Sequence, residues 1–437
     1  MINHKTIIYY YFTSVYTSIR MGSKVVYNKG DRMKVVGLVT EYNPFHNGHL
    51  HHLMASKNKT NATHSIAVMS GHFLQRGEPA LIDKWSRAKA AVESGVDLVL
   101  ELPTLFSCSS AEYFSYGSIA LLDALNIVDT VCFGSEDGSL NQMQLIANLL
   151  SSKDASVEAD IISYLKQGLS YPKARELSLN KAIGEDFIYK PNNILGIEYL
   201  KAINVLNSSM EPNTIKRKQA DYMSLELKSN IASATGIRKQ LQTDSNLELI
   251  QSFVPPCTFE MITQQQHKLI YKEDLIDLLL YKIRTSTAEE IKTIHDVSEG
   301  LENRIIKTAE TATTYEELLN GIVSKRYTKT RVQRILIKIL LNIKKDVLGP
   351  CGTLAPAYGR ILAFNRKGQE LIKKIKKTSD FPLVTNINKV ILDKEAKKML
   401  EYDIRATNIY HLLYKNTLDK KGGQDYLKNP ERINEKP

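Results

Sequence analysis

His46 and His49 stand three residues apart, with Gly48 between them, in the run Glu41-Tyr-Asn-Pro-Phe-His-Asn-Gly-His49. Two imidazoles one helical turn apart can face one ligand. Gly48 carries no Cβ, so a phosphate can approach its backbone. Polarised N–H groups aimed at phosphate oxygens stabilise the charge that develops there during transfer. The same residue types suit zinc, and with His51 and His52 beside them they also suit an ordinary wet surface. Placement favours the phosphate. Val35, Val36, Leu38 and Val39 form an apolar, β-branched run, Asn43-Pro44 breaks it, and Leu50, Leu53 and Met54 follow at helical spacing. A strand that turns into a helix N-terminus presents free backbone N–H groups and the positive end of a dipole to an anion.

Further strands are expected at 65–71, 96–102 and 130–136, alternating with helices at 50–57, 83–94 and 109–125. Asp83 is the expected N-cap of the second helix. This alternation argues for an α/β fold, a doubly wound parallel sheet covered on both faces. Ligands of such sheets bind at the carboxyl ends of the strands. The loops 43–49, 70–77, 101–103 and 134–137 therefore converge on one crevice, with 233–238 as a fifth candidate. Gly134 would let an adenine or ribose lie against the backbone. Thr235 and Arg238 offer a hydroxyl and a permanent cation to terminal phosphates. Arg76, Lys84 and Arg87 add positive charge, although a solvated helix face is the plainer expectation for Lys84. Residues 139–168 read as helical, 170–172 as a turn, 197–205 as a helix and 214–217 as a last strand. Pro255-Pro256 marks a change of domain, which gives a catalytic domain at 33–250 and a mainly α-helical basic domain at 251–437. The tail after Leu418 reads as frayed.

The bulk numbers exclude several classes. Among 437 residues, 43% are hydrophobic and 24% charged, a balance that permits packed domains and argues against a disordered chain. Cys108, Cys132, Cys257 and Cys351 are far apart and form no CxxC pair, so neither a zinc ribbon nor a disulfide framework is indicated, and a reducing cytoplasm fits. The first 32 residues read as a detached extension, disordered or preceding the true start; their apolar stretch is too short to span a membrane. Net charge is +11, and its distribution is uneven. Residues 321–437 hold 26 Lys and Arg against 11 Asp and Glu, while the rest of the chain is slightly acidic. The run 325–345 has eight basic residues and no acidic one. Its cations Lys325, Arg326, Arg331 and Arg334 suit a polyanion such as RNA. Arg360, Arg366, Lys367 and Lys373-Lys-Ile-Lys-Lys377 form a second basic region, and Tyr327, Tyr358 and Phe364 lie between these charges as candidate stacking groups.

Five stretches together carry a resemblance: Gly-Leu-Val-Thr-Glu-Tyr-Asn-Pro-Phe-His-Asn-Gly-His (37–49), Val-Met-Ser-Gly-His-Phe-Leu-Gln-Arg-Gly-Glu-Pro-Ala (68–80), Cys-Phe-Gly-Ser-Glu (132–136), Pro-Asn-Asn-Ile-Leu-Gly (191–196) and Lys-Arg-Tyr-Thr-Lys-Thr-Arg (325–331). The chain resembles the nucleotidylyltransferase superfamily with the His-x-Gly-His signature and, within it, the bacterial tRNA(Met) cytidine acetate ligase family. The resemblance implies a nucleotidylyltransferase-like fold and ATP as a substrate. Acetate would be activated as acetyl-adenylate and passed to N4 of the wobble cytidine of elongator tRNA(Met). By matching position it implies that Val39, Thr40, Glu41, Tyr42, Asn43, Pro44, Phe45, His46, Asn47, Gly48, His49, Gly134, Asn192, Asn193 and Arg217 contact ATP, with His46 and His49 acting on the phosphates. Mg²⁺ is compatible with pyrophosphate departure, but no dedicated carboxylate cage is visible and Glu41 and Asp137 are weak ligands. The residues alone leave two alternatives open: a small-molecule adenylyltransferase, and an RNA-binding protein with a vestigial nucleotide pocket. They do not fix the oligomeric state.

Overall fold

The structure is a computed structural model that describes residues 33–434, apart from 137, 186, 188, 218–231, 245 and 299. The expectations for residues 1–32 and for Asp137 as a metal ligand fall outside these residues. Among the described residues, eight strands form one sheet in the order β5-β4-β1-β2-β3-β6-β7, with β8 paired to β6. They are β1 (Val35–Thr40), β2 (His64–Ser70), β3 (Leu98–Leu102), β4 (Thr130–Ser135), β5 (Glu211–Lys216), β6 (Gly359–Phe364), β7 (Leu383–Val384) and β8 (Glu431–Arg432). The first five run parallel, as alternating strands and helices require. β1 pairs with β2 on one side and β4 on the other, so the winding reverses between β1 and β4. That reversal opens a crevice at the carboxyl ends of those two strands.

The central strands are apolar on both faces because helices cover both. Val36, Leu38, Ala67, Met69 and Val99 are fully buried and pack with Leu53, Trp85 and Ala88 in one cluster. The helices that position the site are α1 (Asn47–Thr60), α2 (Lys84–Glu93), α3 (Pro191–Val205), α4 (Ala234–Thr243), α5 (Lys329–Leu341), α6 (Arg366–Thr378) and α7 (Lys394–Leu412). Asp83 caps α2 as expected, accepting from the N–H groups of Trp85 and Ser86 at 3.0 and 3.1 Å. Two prolines depart from expectation. Pro172 lies inside the first turn of a helix over Tyr171–Ile183, and Pro191 opens α3 rather than preceding it. A helix tolerates proline in its first turn, where the missing N–H has no intrahelical partner to lose.

The region from 251 onward is helical through α5 and then returns to the sheet. β6 pairs antiparallel with β3, opposing Glu101 to Arg360. The short lengths of β7 and β8, two residues each, explain why no strand periodicity marks them. As far as residue 434, the tail after Leu418 is also not frayed. Asp425 is buried against Lys84 and Arg360, and Arg432 pairs with Phe364. Among the described residues no helix is long and apolar enough to cross a membrane.

Candidate nucleotide site

The exit of β1 winds straight into α1, and both histidines are part of that transition. His46 is the N-cap of α1: its Nδ1 accepts the N–H of Gly48 at 3.0 Å. The N–H of His46 in turn reaches Nδ1 of His49 at 3.3 Å, closing a reciprocal capping box made of imidazoles. The rings stack with centroids 3.8 Å apart. Tyr42 and Phe45 wall the pair, with ring centroids 5.1 and 5.7 Å from His49.

These contacts change the expected chemistry. The N–H of Asn47 is bound to the carbonyl of Phe253 at 2.9 Å, and those of His49 and Leu50 to the carbonyl of His46. The first turn of α1 therefore has its backbone donors engaged, and they are not the free cradle that the sequence suggests. The donors toward an anion are the histidine rings. Because Nδ1 of each ring accepts from a backbone N–H, the neutral tautomer carries its proton on Nε2. Burial keeps both rings neutral. It lowers His46 to about 3, with the Arg217 and Arg238 cations adding to the effect. It lowers His49 well below the usual range, helped by His46 and Arg217. His52, one turn further on, is lowered to about 4 by burial and Arg217, so it is not the ordinary surface histidine that the plainest reading allows. Three imidazoles at the start of α1 are thus held neutral by burial and by the field of the same cation, Arg217.

The other loops close the crevice. Arg87 is buried and donates to the carbonyls of Glu41 at 2.6 Å, of Ser70 at 3.2 Å and of Gly71, tying the ends of β1 and β2 together. Asn43 accepts the N–H of Leu81 at 2.7 Å through Oδ1 and lends its carbonyl to Arg238 at 2.9 Å. Its buried Nδ2 has no hydrogen-bond partner. Glu41 accepts the N–H of Gln75 at 2.8 Å, and burial raises its carboxyl above the usual range. Thr40 reaches the carbonyl of Val68 at 3.4 Å, and Asn47 donates its amide to that of Ser252 at 2.9 Å. Val39 and Thr40 end β1, and Pro44 lies in the turn between it and α1.

On the β4 side, Glu136 holds the start of α3. Its carboxylate accepts from the amide of Asn192 at 2.8 Å and the backbone N–H of Asn193 at 2.8 Å, and Asn193 Oδ1 accepts the N–H of Glu136 at 3.0 Å. A carboxylate at a helix N-terminus is favourable. Arg217 follows β5, donates to Asn192 Oδ1 at 3.1 Å and lays its stem against Gly134, where a Cβ would sit 3.3 Å from its Cγ. The space over Gly134 is thus shared with Arg217. Sequence reasoning places Glu136 in the loop at the end of β4 but misses its role as the anchor of α3. Its partners lie 56 and 57 positions away, so no local pattern marks it.

Arg238 and Thr235 sit in the first half of α4, capped by Ser233 onto Gly236 at 3.0 Å. Arg238 is held between Asn43 and Glu78, at 3.2 Å from the latter, while Thr235 is exposed. Lys84 departs furthest from expectation: it is fully buried, 2.8 Å from Glu101 and 3.0 Å from Asp425. It is a packing cation under the sheet edge, not part of a solvated face.

The basic helix α5 meets this crevice directly. Gly77, at φ 75°, packs so closely on the backbone of Gln333 and Arg334 that no side chain fits there. Lys325 and Arg326 are exposed. Arg331 stacks over Tyr327 at 4.7 Å, and Arg334 is half-buried with its guanidinium depressed by burial. Tyr327 and Tyr358 are core residues whose hydroxyls bond Ser298 O and Asp403, both at 2.6 Å, so neither is placed to stack on a base. Among the described residues no group of three His, Cys, Asp or Glu gathers to hold a metal.

Residues 33–425 match the family model described as HIGH Nucleotidyl Transferase. The tRNA(Met) cytidine acetate ligase of Alkaliphilus metalliredigens is 46% identical over 417 residues, covering 91% of this chain and 98% of that protein. That of Clostridium perfringens is 43% identical over 91% of this chain and 99% of its own length. The crystal structure of Thermotoga maritima TmcAL bound with alpha-thio ATP is 32% identical, with a TM-score of 0.86 over 92% of this chain and all of that one. The apo form of the same protein gives 0.87.

Proposed function

The chain belongs to the HIGH nucleotidyl transferase family, among its tRNA(Met) cytidine acetate ligases, and from that premise we propose how its residues carry the reaction. It is an ATP-dependent acetate ligase acting on tRNA(Met). An acetate oxygen attacks the α-phosphorus of ATP, forming acetyl-adenylate and releasing pyrophosphate. N4 of the wobble cytidine of elongator tRNA(Met) then attacks the acetyl carbon, AMP leaves, and the nitrogen loses a proton to give N4-acetylcytidine. The relatives act on tRNA(Met), which leaves neither alternative reading with a supporting observation.

The observation that carries the site assignment is the imidazole capping box. With Nδ1 of His46 and His49 committed to the helix start, their Nε2–H groups are the adjacent donors for phosphate oxygens where charge builds up, and a phosphate draws that of His49 from the carbonyl of Pro44. Arg217 and Arg238 supply fixed positive charge on either side. Gly134 and the Glu136–Asn192–Asn193 unit, at the end of β4, form the nucleoside side of the crevice. Mg²⁺ would enter with the phosphates, because Glu41 is bound to Gln75 and, among the described residues, no group of three His, Cys, Asp or Glu gathers to hold it. Lys325, Arg326, Arg331 and Arg334 receive the tRNA, and the contact of α5 with Gly77 brings the RNA to the loop that borders the anhydride. A cytoplasmic location fits ATP and tRNA as substrates. Incubation with ATP, labelled acetate and total tRNA, followed by nucleoside analysis, tests the reading. Label is expected in N4-acetylcytidine of elongator tRNA(Met) only when ATP is present; label that is absent or independent of ATP would contradict it.

A further inference from the structure

Helix α6 carries a face that the reaction at the crevice does not use. Leu371 and Ile375 are buried, and Asn365 caps the helix by accepting the N–H of Gly368 at 2.9 Å. Gly368 lies so close to the carbonyl of Asp97 that a side chain would collide with it. At the other end, Asn126 donates to the carbonyl of Thr378 at 2.8 Å and Ser379 to that of Ala124 at 2.7 Å. The helix is therefore fixed in place. Its outer side shows Arg366, Lys367, Lys373, Lys376 and Lys377, all exposed. Arg366 and the exposed Arg432 of β8 line a groove of about 360 Å³ with Gln369 and Asn434.

This strip does not serve the helix itself. Lys376 and Lys377 suit the negative end of its dipole, but Arg366 and Lys367 occupy the positive end, where a cation is unfavourable. Lys373 and Lys377 are like charges at i, i+4, which weakens an isolated helix. The acid on the helix, Glu370, is 3.3 Å from His64. The strip is also remote from the crevice. Lys367 donates to the carbonyl of Thr63 at 3.1 Å, just before the amino end of β2, whereas the site lies at the carboxyl ends. Seven residues of β2 separate the two by about 20 Å.

We propose that the outer face of α6, with Arg432, is a second tRNA contact that holds the phosphate backbone of the tRNA body rather than its anticodon loop. The inference rests on the reading that the substrate is tRNA. The chemistry is that of a duplex backbone: cations spaced along a rigid element, with no exposed aromatic ring among them to stack on an unpaired base. A folded tRNA extends well past the distance between crevice and strip, so its body beyond the anticodon stem can lie along the strip while the anticodon lies in the crevice.

The test is the affinity of the quadruple variant Arg366→Ala, Lys373→Ala, Lys376→Ala, Lys377→Ala for full-length tRNA(Met) and for its anticodon stem-loop across a salt series. Full-length tRNA should bind about tenfold more weakly, with the slope of log K against log salt reduced by ~0.7–0.9 for each phosphate that is no longer neutralised. Stem-loop affinity and acetate-dependent pyrophosphate release should stay as in the unsubstituted protein, and the charge-conserving variant Arg366→Lys should retain tRNA binding. Unchanged full-length affinity, or an equal drop for both RNAs, overturns the second contact while leaving the ligase reading intact. An unsubstituted protein that binds no tRNA overturns both.

Discussion

Two charged regions lie along the carboxyl edge of the same sheet, and they are built in opposite ways. At the ends of β1 and β4, Arg217 is exposed and donates to a neutral amide, and Arg238 is partly exposed between a carbonyl and Glu78. His46 and His49 are kept uncharged by burial, helped by Arg217 at both rings and by Arg238 at His46. At the end of β3, Lys84 and Arg360 are sealed from solvent and meet Glu101 and Asp425. Asp403 lies beside them, bonded to Tyr358, and burial with Glu101 pushes its carboxyl up. The second region balances its charge internally. The first pairs Arg238 with Glu78 but leaves the guanidinium of Arg217 exposed on a neutral amide, beside neutral imidazoles, where an anion arriving from outside can meet it. Residue type does not distinguish the two; exposure and the nature of the partner do.

The comparison breaks most visibly at Lys84. Lys84→Ala leaves Glu101 and Asp425 facing each other in the interior with one cation fewer. A destabilisation of about 3–5 kcal/mol is expected, read as a large drop in melting temperature or as insoluble protein. A melting temperature like that of the unsubstituted protein would mean that the sealed cluster is not a structural unit. The crevice should respond in rate rather than stability. His49→Ala should lower acetate-dependent pyrophosphate release by about 10²–10³, the scale for losing one donor to a developing oxyanion, with tRNA binding intact. Unchanged release would remove His49 from the chemistry.

Neutralising Lys325 and Arg326 together should weaken tRNA binding by a smaller factor, about tenfold at moderate salt, and flatten its salt dependence. Equal affinity and an equal slope would place the RNA elsewhere. A further effect, on stability rather than on rate or binding, concerns acid. His46, His49 and His52 are held neutral in the folded chain but take up protons near pH 6.5 once unfolded. The unfolded state then binds more protons, so their stabilisation is complete above pH 6.5 and is lost as pH falls toward 4 and 3. Each contributes at most about 1.4 kcal/mol per pH unit across that window. A denaturant midpoint that is flat from pH 7 to 5 would contradict the buried, neutral rings. For the same reason pyrophosphate release should not decline as pH rises from 6.5 to 8, which a mechanism needing protonated imidazoles would require.

The parallel strands are legible in the sequence because burial on both faces leaves continuous apolar runs, and the His46–His49 turn is legible because it follows the first of them. The imidazole cap is not, since histidine is an uncommon N-cap and the motif reads equally well as a ligand set. Lys84 and Arg87 look like surface cations because their partners, Glu101, Asp425 and the carbonyls of residues 41, 70 and 71, are brought together only by the sheet. β6 to β8 are hidden for a related reason: a two-residue strand has no period, and the antiparallel strand β6 follows a long helical stretch.

The claim on which the rest depends is that neutral imidazoles at the exit of β1 donate through Nε2 to the triphosphate. Asparagine is a strong N-cap whose remaining amide donor stops short of the Nε2 position, so His46→Asn separates holding the helix from acting on ATP. The direct measurement is acetate-dependent pyrophosphate release by His46→Asn, taken beside its melting temperature. A variant that melts like the unsubstituted protein and releases pyrophosphate about a hundredfold more slowly is the predicted result. A stable variant that releases it at the original rate would contradict the account.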